Sequence, residues 1–310
     1  MYRDRFYREG MGSGRFRSIT ISEGESDLWI GWNMHRSAKM SDTRAPQYGA
    51  DDTRAPQYGA DDTRAAQYGA DDSGTDDSAA AELATDLEQK SSELLKGIRR
   101  AIQDYGATHP DFFTSLVPLP FDTESAEPVR SMLRAAWAAG VGPMAAVAGA
   151  IAEALGRALQ DCFQFDELVI ENGGDYWISV KEPLAVRVYG GLSSLSGRVS
   201  VIVPPALAPC GLACSSGTVG PSLSFGKADA ALVIARDAAA ADAWATALGN
   251  RLRFQQDLAA EVEAIINLEL PPLSGQGLED DNSYTRTCKP LGALAIMADR
   301  LAACGAIQLG

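Results

Sequence analysis

Apolar positions recur along the chain with two different periods. Residues 16–22 (FRSITIS) and 26–32 (SDLWIGW) are alternating or apolar runs separated by Glu-Gly-Glu, the pattern of a β-hairpin. Between residues 79 and 105 the period lengthens: Leu83, Leu87, Leu94, Leu95, Ile98 and Ile102 recur close to helical spacing, and Gly106 ends the run. This predicts an amphipathic helix. Two Ala-rich helices are predicted over 127–139 and 142–161, the second with Pro143 in its first turn, where a missing N–H costs nothing.

From Phe165 the period shortens to that of strands. DELVIE, the turn NGGD and YWISVK (176–181) read as a hairpin with a Gly-Gly turn, and LAVRVY and GRVSVIV (197–203) continue the meander. A Pro-, Cys- and Ser-rich loop follows. AALVIA (230–235) is then a strand, 238–248 and 252–267 are helices, and the tail LGALAIMADRLAACGAIQLG forms a strand pair around Asp299-Arg300. Antiparallel strands beside buried helices define an α+β layered fold, not an alternating parallel one.

An internal repeat interrupts this pattern. DTRAPQYGAD begins at Asp42, again at Asp52, and with one Pro-to-Ala change at Asp62. Ten residues are too few for a solenoid unit, and the repeat lacks apolar positions for stacking to bury. Its Pro, Gly and acidic residues cannot offset the entropy of ordering, so 41–78 is expected to be a disordered acidic insertion. It splits a main domain made of the hairpin in 1–40 and of residues 79–310. A slipped tandem duplication accounts for it; a partner tag carried by Tyr48, Tyr58 and Tyr68 is the alternative.

The net charge of -14 repels a phosphate backbone or an anionic bilayer, which argues against nucleic acid and membrane as partners. Nine Asp against three Arg in 41–78 supply part of it, and an acidic body remains. Residues 135–152 carry no charge but are mostly Ala and Gly with a Gly142-Pro143 break, a buried helix end rather than a span. With a charged N-terminus and only five Cys, the expectation is a cytoplasmic protein in a reducing compartment.

Only His35 and His109 are available, neither near an obvious nucleophile, so histidine catalysis and a His-rich zinc site are poorly supported. Four places could carry other chemistry. The segment following Cys214 offers hydroxyls and backbone amides at Ser215, Ser216, Gly217, Thr218 and Ser222, with one positive charge at Lys227, and could cradle a phosphate. It is not a Walker A loop: five residues separate Gly220 from Gly226, and Ala228 follows the lysine. A solvated Ser/Gly connection reads equally well. Asn172, Gly173, Gly174 and Asp175 form either a tight turn or a turn that approaches a ligand through its backbone. Cys214 and Lys227 are the candidates for covalent or proton-transfer chemistry. Asp242 and Thr246 lie four residues apart on one helix face, where their oxygens could converge on Mg²⁺; helix-end complementation by Asp242 is the alternative.

The segments GPMAAVAGAIAE, ENGGDYW, CSSGTVGPSLSFGKADAALVIA and ADAWATALGN, in this order, resemble a bacterial and archaeal family of the ApbE-like (FAD:protein FMN transferase-like) superfamily. The resemblance covers most of the chain outside 34–80. It implies a two-lobed α+β fold related to a duplicated T-fold, with FAD or FMN as ligand and Mg²⁺ as cofactor. In the transferases proper, Mg²⁺-dependent chemistry moves FMN onto a Ser or Thr hydroxyl of a target protein. By this similarity Asp242 and Thr246 match the metal ligands, a backbone carbonyl just before Gly149 completes the site, Ser216-Gly217 matches a Ser-Gly turn near the flavin, and Asn172–Asp175 a Gly-Gly-Asp turn. Two departures separate the chain from the transferases: Ala148 stands where they carry Lys, and residues 219–227 replace an Asp-Pro segment. The same branch is similar to proteins of sulfide assimilation to homocysteine in anaerobes, with a ferredoxin-like partner, which would put Cys214 near sulfur. A non-catalytic structural partner is the third reading, and a homo-oligomer stays open.

Overall fold

The computed structural model describes residues 14–34, 76–217, 226–270, 273 and 282–310. The repeats and their tyrosines, His35, Thr218 and Ser222 therefore lie outside the described residues.

The hairpin at the start is present as β1 (Arg17–Glu23) and β2 (Ser26–Asn33). Helix α1 (Asp76–Thr108) carries the Leu/Ile stripe, with Leu87, Leu95 and Ile98 buried. A one-turn α2 (Asp111–Thr114) leads to α3 (Val129–Ala139), which ends at Gly140 in the left-handed region, the usual glycine stop. A 3₁₀ turn at Pro143–Ala146 then feeds α4 (Val147–Cys162). Strands β3 (Glu167–Asn172) and β4 (Asp175–Ser179) are joined by the Gly173-Gly174 turn, both glycines at positive φ.

The strands that follow depart from the expected meander. β5 (Leu184–Arg187) and β6 (Ser200–Val203) leave the main sheet, and β4 pairs instead with β7 (Cys210–Ser215), a strand where sequence patterning gave a loop. Then come β8 (Ala230–Ala235), α5 (Ala238–Arg251), α6 (Leu258–Asn267), α7 (Asn282–Cys288), β9 (Pro290–Met297), β10 (Arg300–Gly305) and β11 (Gln308–Leu309). α6 starts six residues later than the pattern predicts, after a 3₁₀ turn at Gln255–Asp257, and α7 has no counterpart in the pattern.

Eight strands form one antiparallel sheet in the order β1-β2-β3-β4-β7-β8-β9-β10, and β11-β6-β5 form a second. The sheets stack as layers. Helices cover one face of the large sheet, where Ile30, Leu168, Ile170, Trp177, Val233 and Ala295 share a core with α1, α4 and α5. On the opposite face Trp29, Val169, Ile178, Leu232 and Leu294 pack with Val186, Val201 and Val203 of the small sheet. Alternate residues of a strand thus enter two different cores, as period-two side-chain geometry requires. The result is an α+β protein of three layers.

Among the described residues no single helix is long and apolar enough to cross a membrane. α3 with the segment Pro143–Cys162 passes together by length and composition, but the pair bends by 105° and most of its Ala and Leu side chains are buried in the helical core.

Candidate functional site

The N-terminus of α4 lies against the first two turns of α5, and carboxylates do the joining. A helix begins with backbone amides that have no partner inside it. In α4 no side chain of its own caps them. Asp242 of α5 does so from outside: its Oδ2 accepts from the Ala148 amide at 3.1 Å and the Gly149 amide at 3.0 Å. Asp242 thus complements a helix N-terminus, but that of the neighbouring helix. Burial pushes its carboxyl up to about 7 even though the two amides pull it down.

This approach needs a glycine. A Cβ on Gly149 would sit 2.1 Å from the Ala238 carbonyl oxygen.

The β3–β4 turn closes one side. Asn172, a buried side chain, donates through Nδ2 to the Ala148 carbonyl at 3.1 Å. The Gly174 amide donates to Glu171 Oε1 at 2.7 Å, and the Cys214 amide to Asp175 Oδ1 at 3.2 Å. Asn172 and Asp175 therefore tie the turn to the start of α4 and the end of β7, while Gly173 is exposed.

Ser215 and Ser216 continue from β7 and are half-buried. At Gly217 the chain enters a neck: its amide donates to the Ala228 carbonyl at 2.9 Å, and the Lys227 amide to the Leu252 carbonyl at 2.8 Å. The returning Gly226 lies so close to α5 that a Cβ there would meet the Gly249 carbonyl oxygen at 1.7 Å. Lys227 itself is exposed. Asp242, Thr246 and Gly249 follow one another on one face of α5, from the α4 contact to the neck. Thr246 is half-buried beside this line.

Cys214 is half-buried, and desolvation works against it as a nucleophile. Desolvation, with the Asp175 carboxylate adding to it, pushes its thiol up to about 12, and the reactive species would be the thiolate. The same burial pushes Cys210 and Cys288 up to about 12.

As for the metal, among the described residues no group of three or more His, Cys, Asp or Glu is placed to hold one. The carbonyl expected to complete the site belongs to Ala148, inside α4, and already accepts from Asn172. What remains is Asp242 Oδ1, to which none of the described residues donates, and the Thr246 hydroxyl. Such a sparse set fits Mg²⁺, which keeps several waters and is held by one or two carboxylates together with a ligand's phosphates.

Sequence reasoning did not identify Glu153. Its Oε2 accepts from the Ala238 amide at 2.6 Å, and its Oε1 from Arg157 Nε at 2.8 Å and Nη2 at 2.6 Å. Asp237 caps α5 alongside it, accepting from the Ala240 amide at 3.0 Å and pairing with Arg134 at 3.4 Å. The available signal was a lone acid in the otherwise apolar run AVAGAIAEAL.

The fold and site thus define an α+β protein whose principal polar centre joins two buried helices beside a Gly-Gly turn. The family described as AbpE bacteria matches residues 73–269, and the chain belongs to it. The chain is 44% identical over 164 residues to a UPF0280 protein of Methanosphaerula palustris, covering 53% of this chain and 68% of the relative. It is 42% identical over 176 residues to a UPF0280 protein of Methanospirillum hungatei, covering 56% and 71%. A third, from Methanothermobacter thermautotrophicus, is 39% identical over 179 residues. Among solved structures, the apo form of Pseudomonas stutzeri flavinyl transferase ApbE aligns over 94% of both chains with 8% identity and a TM-score of 0.38.

Proposed function

We propose that the chain binds a flavin nucleotide or a related phosphorylated small molecule, with Mg²⁺ held at Asp242. One observation carries this reading. Asp242 is half-buried, and both of its amide partners sit on Oδ2, so Oδ1 is left for another partner. A cation at Oδ1 would supply that partner and favour the charged form over the proton that desolvation otherwise favours. Asp242 and Thr246 would hold the ion. When bound, Mg²⁺ neutralises the charge of a phosphate or pyrophosphate. The chain's own groups do the rest: Asn172 and Asp175 fix the turn beside the ion, and Ser215, Ser216 and the Gly217 neck offer hydroxyls and backbone within the same end of the sheet.

The test is calorimetric titration of FAD, FMN and ADP into the purified protein, in Mg²⁺ and again in EDTA, with mass spectrometry of anything released on denaturation. The expected result is binding in Mg²⁺ that EDTA removes. Absence of binding by all three would end this reading.

A further inference from the structure

Glu153 and Asp242 lie on different helices, and each holds the backbone one turn away from the other. Glu153 of α4 takes the amide of Ala238; Asp242, four residues after Ala238, takes the amide of Gly149, four residues before Glu153. Between them the Ala238 carbonyl rests on Gly149, where there is no room for a Cβ. Two helical turns are therefore locked face to face by a bond at each end and a backbone contact in the middle.

Such a lock has one degree of freedom that matters for the site, the position of α5 along α4. If Ala238 slid by a fraction of a helical rise, about 1.5 Å per residue, Asp242 Oδ2 would no longer meet both amides. Its other oxygen would then turn with it.

We propose that Glu153 is a positioning residue for the ligand site: by fixing Ala238 against α4, it sets where the Asp242 carboxylate lands and hence which oxygen is left for a cation. The groups facing Glu153 agree with a mechanical role. Arg157 neutralises it from the same helix, Asp237 stands beside it on the segment leading into α5, and the Ala238 amide is its contact across the helix pair. Reach and an acceptor oxygen are what the role requires. The link between the two caps stands on geometry alone; its consequence for ligand binding rests on the reading of Asp242 as the cation site.

The experiment compares wild type with Glu153→Ala, Glu153→Gln and Glu153→Asp. Hydrogen exchange is followed at the Ala148 and Gly149 amides, with amides of β8 and β9 as the internal standard for global stability. In Glu153→Ala the Ala148 and Gly149 amides should exchange on the order of tenfold faster or more, the effect of losing a charge-assisted bond, while β8 and β9 keep their rates. Glu153→Gln, with an acceptor at the same reach, should restore most of the protection. Glu153→Asp keeps the charge but is one methylene short, so it should behave like Glu153→Ala and provides the reading if the alanine variant fails to fold.

The second readout is the ratio of ADP affinities in Mg²⁺ and EDTA. It should fall about 10- to 100-fold in Glu153→Ala, as for loss of an outer partner of a metal ligand, and recover in Glu153→Gln. Wild-type exchange at Ala148 and Gly149 in both Glu153→Ala and Glu153→Asp would overturn the proposal, as would a Mg²⁺ ratio in Glu153→Ala equal to that of a Mg²⁺-dependent wild type. If wild type shows no Mg²⁺ dependence, the ligand reading falls, while the exchange rates still decide whether Glu153 positions Asp242.

Discussion

Glu153 and Asp242 cap each other's helices. The Glu153 carboxylate satisfies the first amide of α5, and the Asp242 carboxylate satisfies two amides at the start of α4. Negative charge is favoured at both places by the helix dipoles, so each carboxylate stabilises the helix it does not belong to. The arrangement also explains why these helices are so rich in Ala and Gly: only small side chains let the backbones come within reach of a carboxylate.

Asp242 is therefore both structural and, on the proposed reading, functional, and substitution separates the roles. Asp242→Asn keeps an oxygen for the Ala148 and Gly149 amides and should remain folded, losing on the order of 1 kcal/mol in denaturant unfolding. Mg²⁺-dependent binding of FAD or ADP should vanish in it. Asp242→Ala removes the cap as well and should cost about 1–3 kcal/mol, since two amides lose a charged acceptor. Retention of Mg²⁺-dependent binding in Asp242→Asn would refute the assignment.

Gly149→Ala tests the approach of the helices. The added Cβ would lie 2.1 Å from the Ala238 carbonyl oxygen, and backbone on both sides leaves nothing flexible to move. Overpacking of this kind costs about 1–3 kcal/mol. Chemical denaturation should show that loss, and Mg²⁺-dependent ligand affinity should fall with it. Ala150→Gly, one residue on and away from this contact, should leave ligand affinity alone while losing about 1 kcal/mol of helix propensity.

Much of the fold was legible because period and burial agree. The β1–β2 and β3–β4 hairpins, α1 and the final strand pair follow their apolar patterns closely. β7 was missed because CGLACS is small-residue sequence without an apolar run, and its reason is tertiary: a Cβ on Gly211 would meet the Ala238 backbone at 2.2 Å, so the strand is made small to let α5 lie on it. β5 and β6 were assigned to the main sheet because alternation tells which face of a strand is buried, not which strand lies beside it. At the site, the Asp242 and Thr246 spacing was visible on one helix. The partners of Asp242 were not, since backbone amides leave no mark in a sequence.

The cysteines provide an independent check on burial. All five are free, and Cys210 and Cys288 are fully buried. With thiols pushed up to about 12, Cys210, Cys214 and Cys288 hold fewer than about one part in ten thousand as thiolate at pH 7.5. A disulfide reagent should label the half-buried Cys304 first in native protein, the half-buried Cys214 more slowly because desolvation pushes its thiol up, and the buried Cys162, Cys210 and Cys288 only on unfolding. Cys214→Ser should bind ligand like wild type. Native labelling of Cys210 or Cys288 as fast as that of Cys304, located by peptide mapping, would contradict the placement of those side chains.

Glu153 contributes to the pH dependence of stability. Burial, and then the neighbouring Asp237, push its carboxyl up to about 7 against the pull of Arg157 and the Ala238 amide. In the unfolded chain the group titrates near the ordinary glutamate value of about 4.3, so between roughly pH 4 and 7 the folded state holds the extra proton. Stability therefore falls as pH rises through this window and levels off above it, the reverse of a salt-bridged acid. At about 1.4 kcal/mol per pK unit, wild type should melt on the order of 5 °C higher at pH 5 than at pH 8 from this group. Asp242, pushed up to about 7 in the same way, adds a slope of the same sign, so Glu153→Gln should lose only its own share and Glu153→Gln with Asp242→Asn should flatten the curve. A slope in Glu153→Gln as steep as in wild type would show that Glu153 ionises normally in the fold and leave the effect to Asp242.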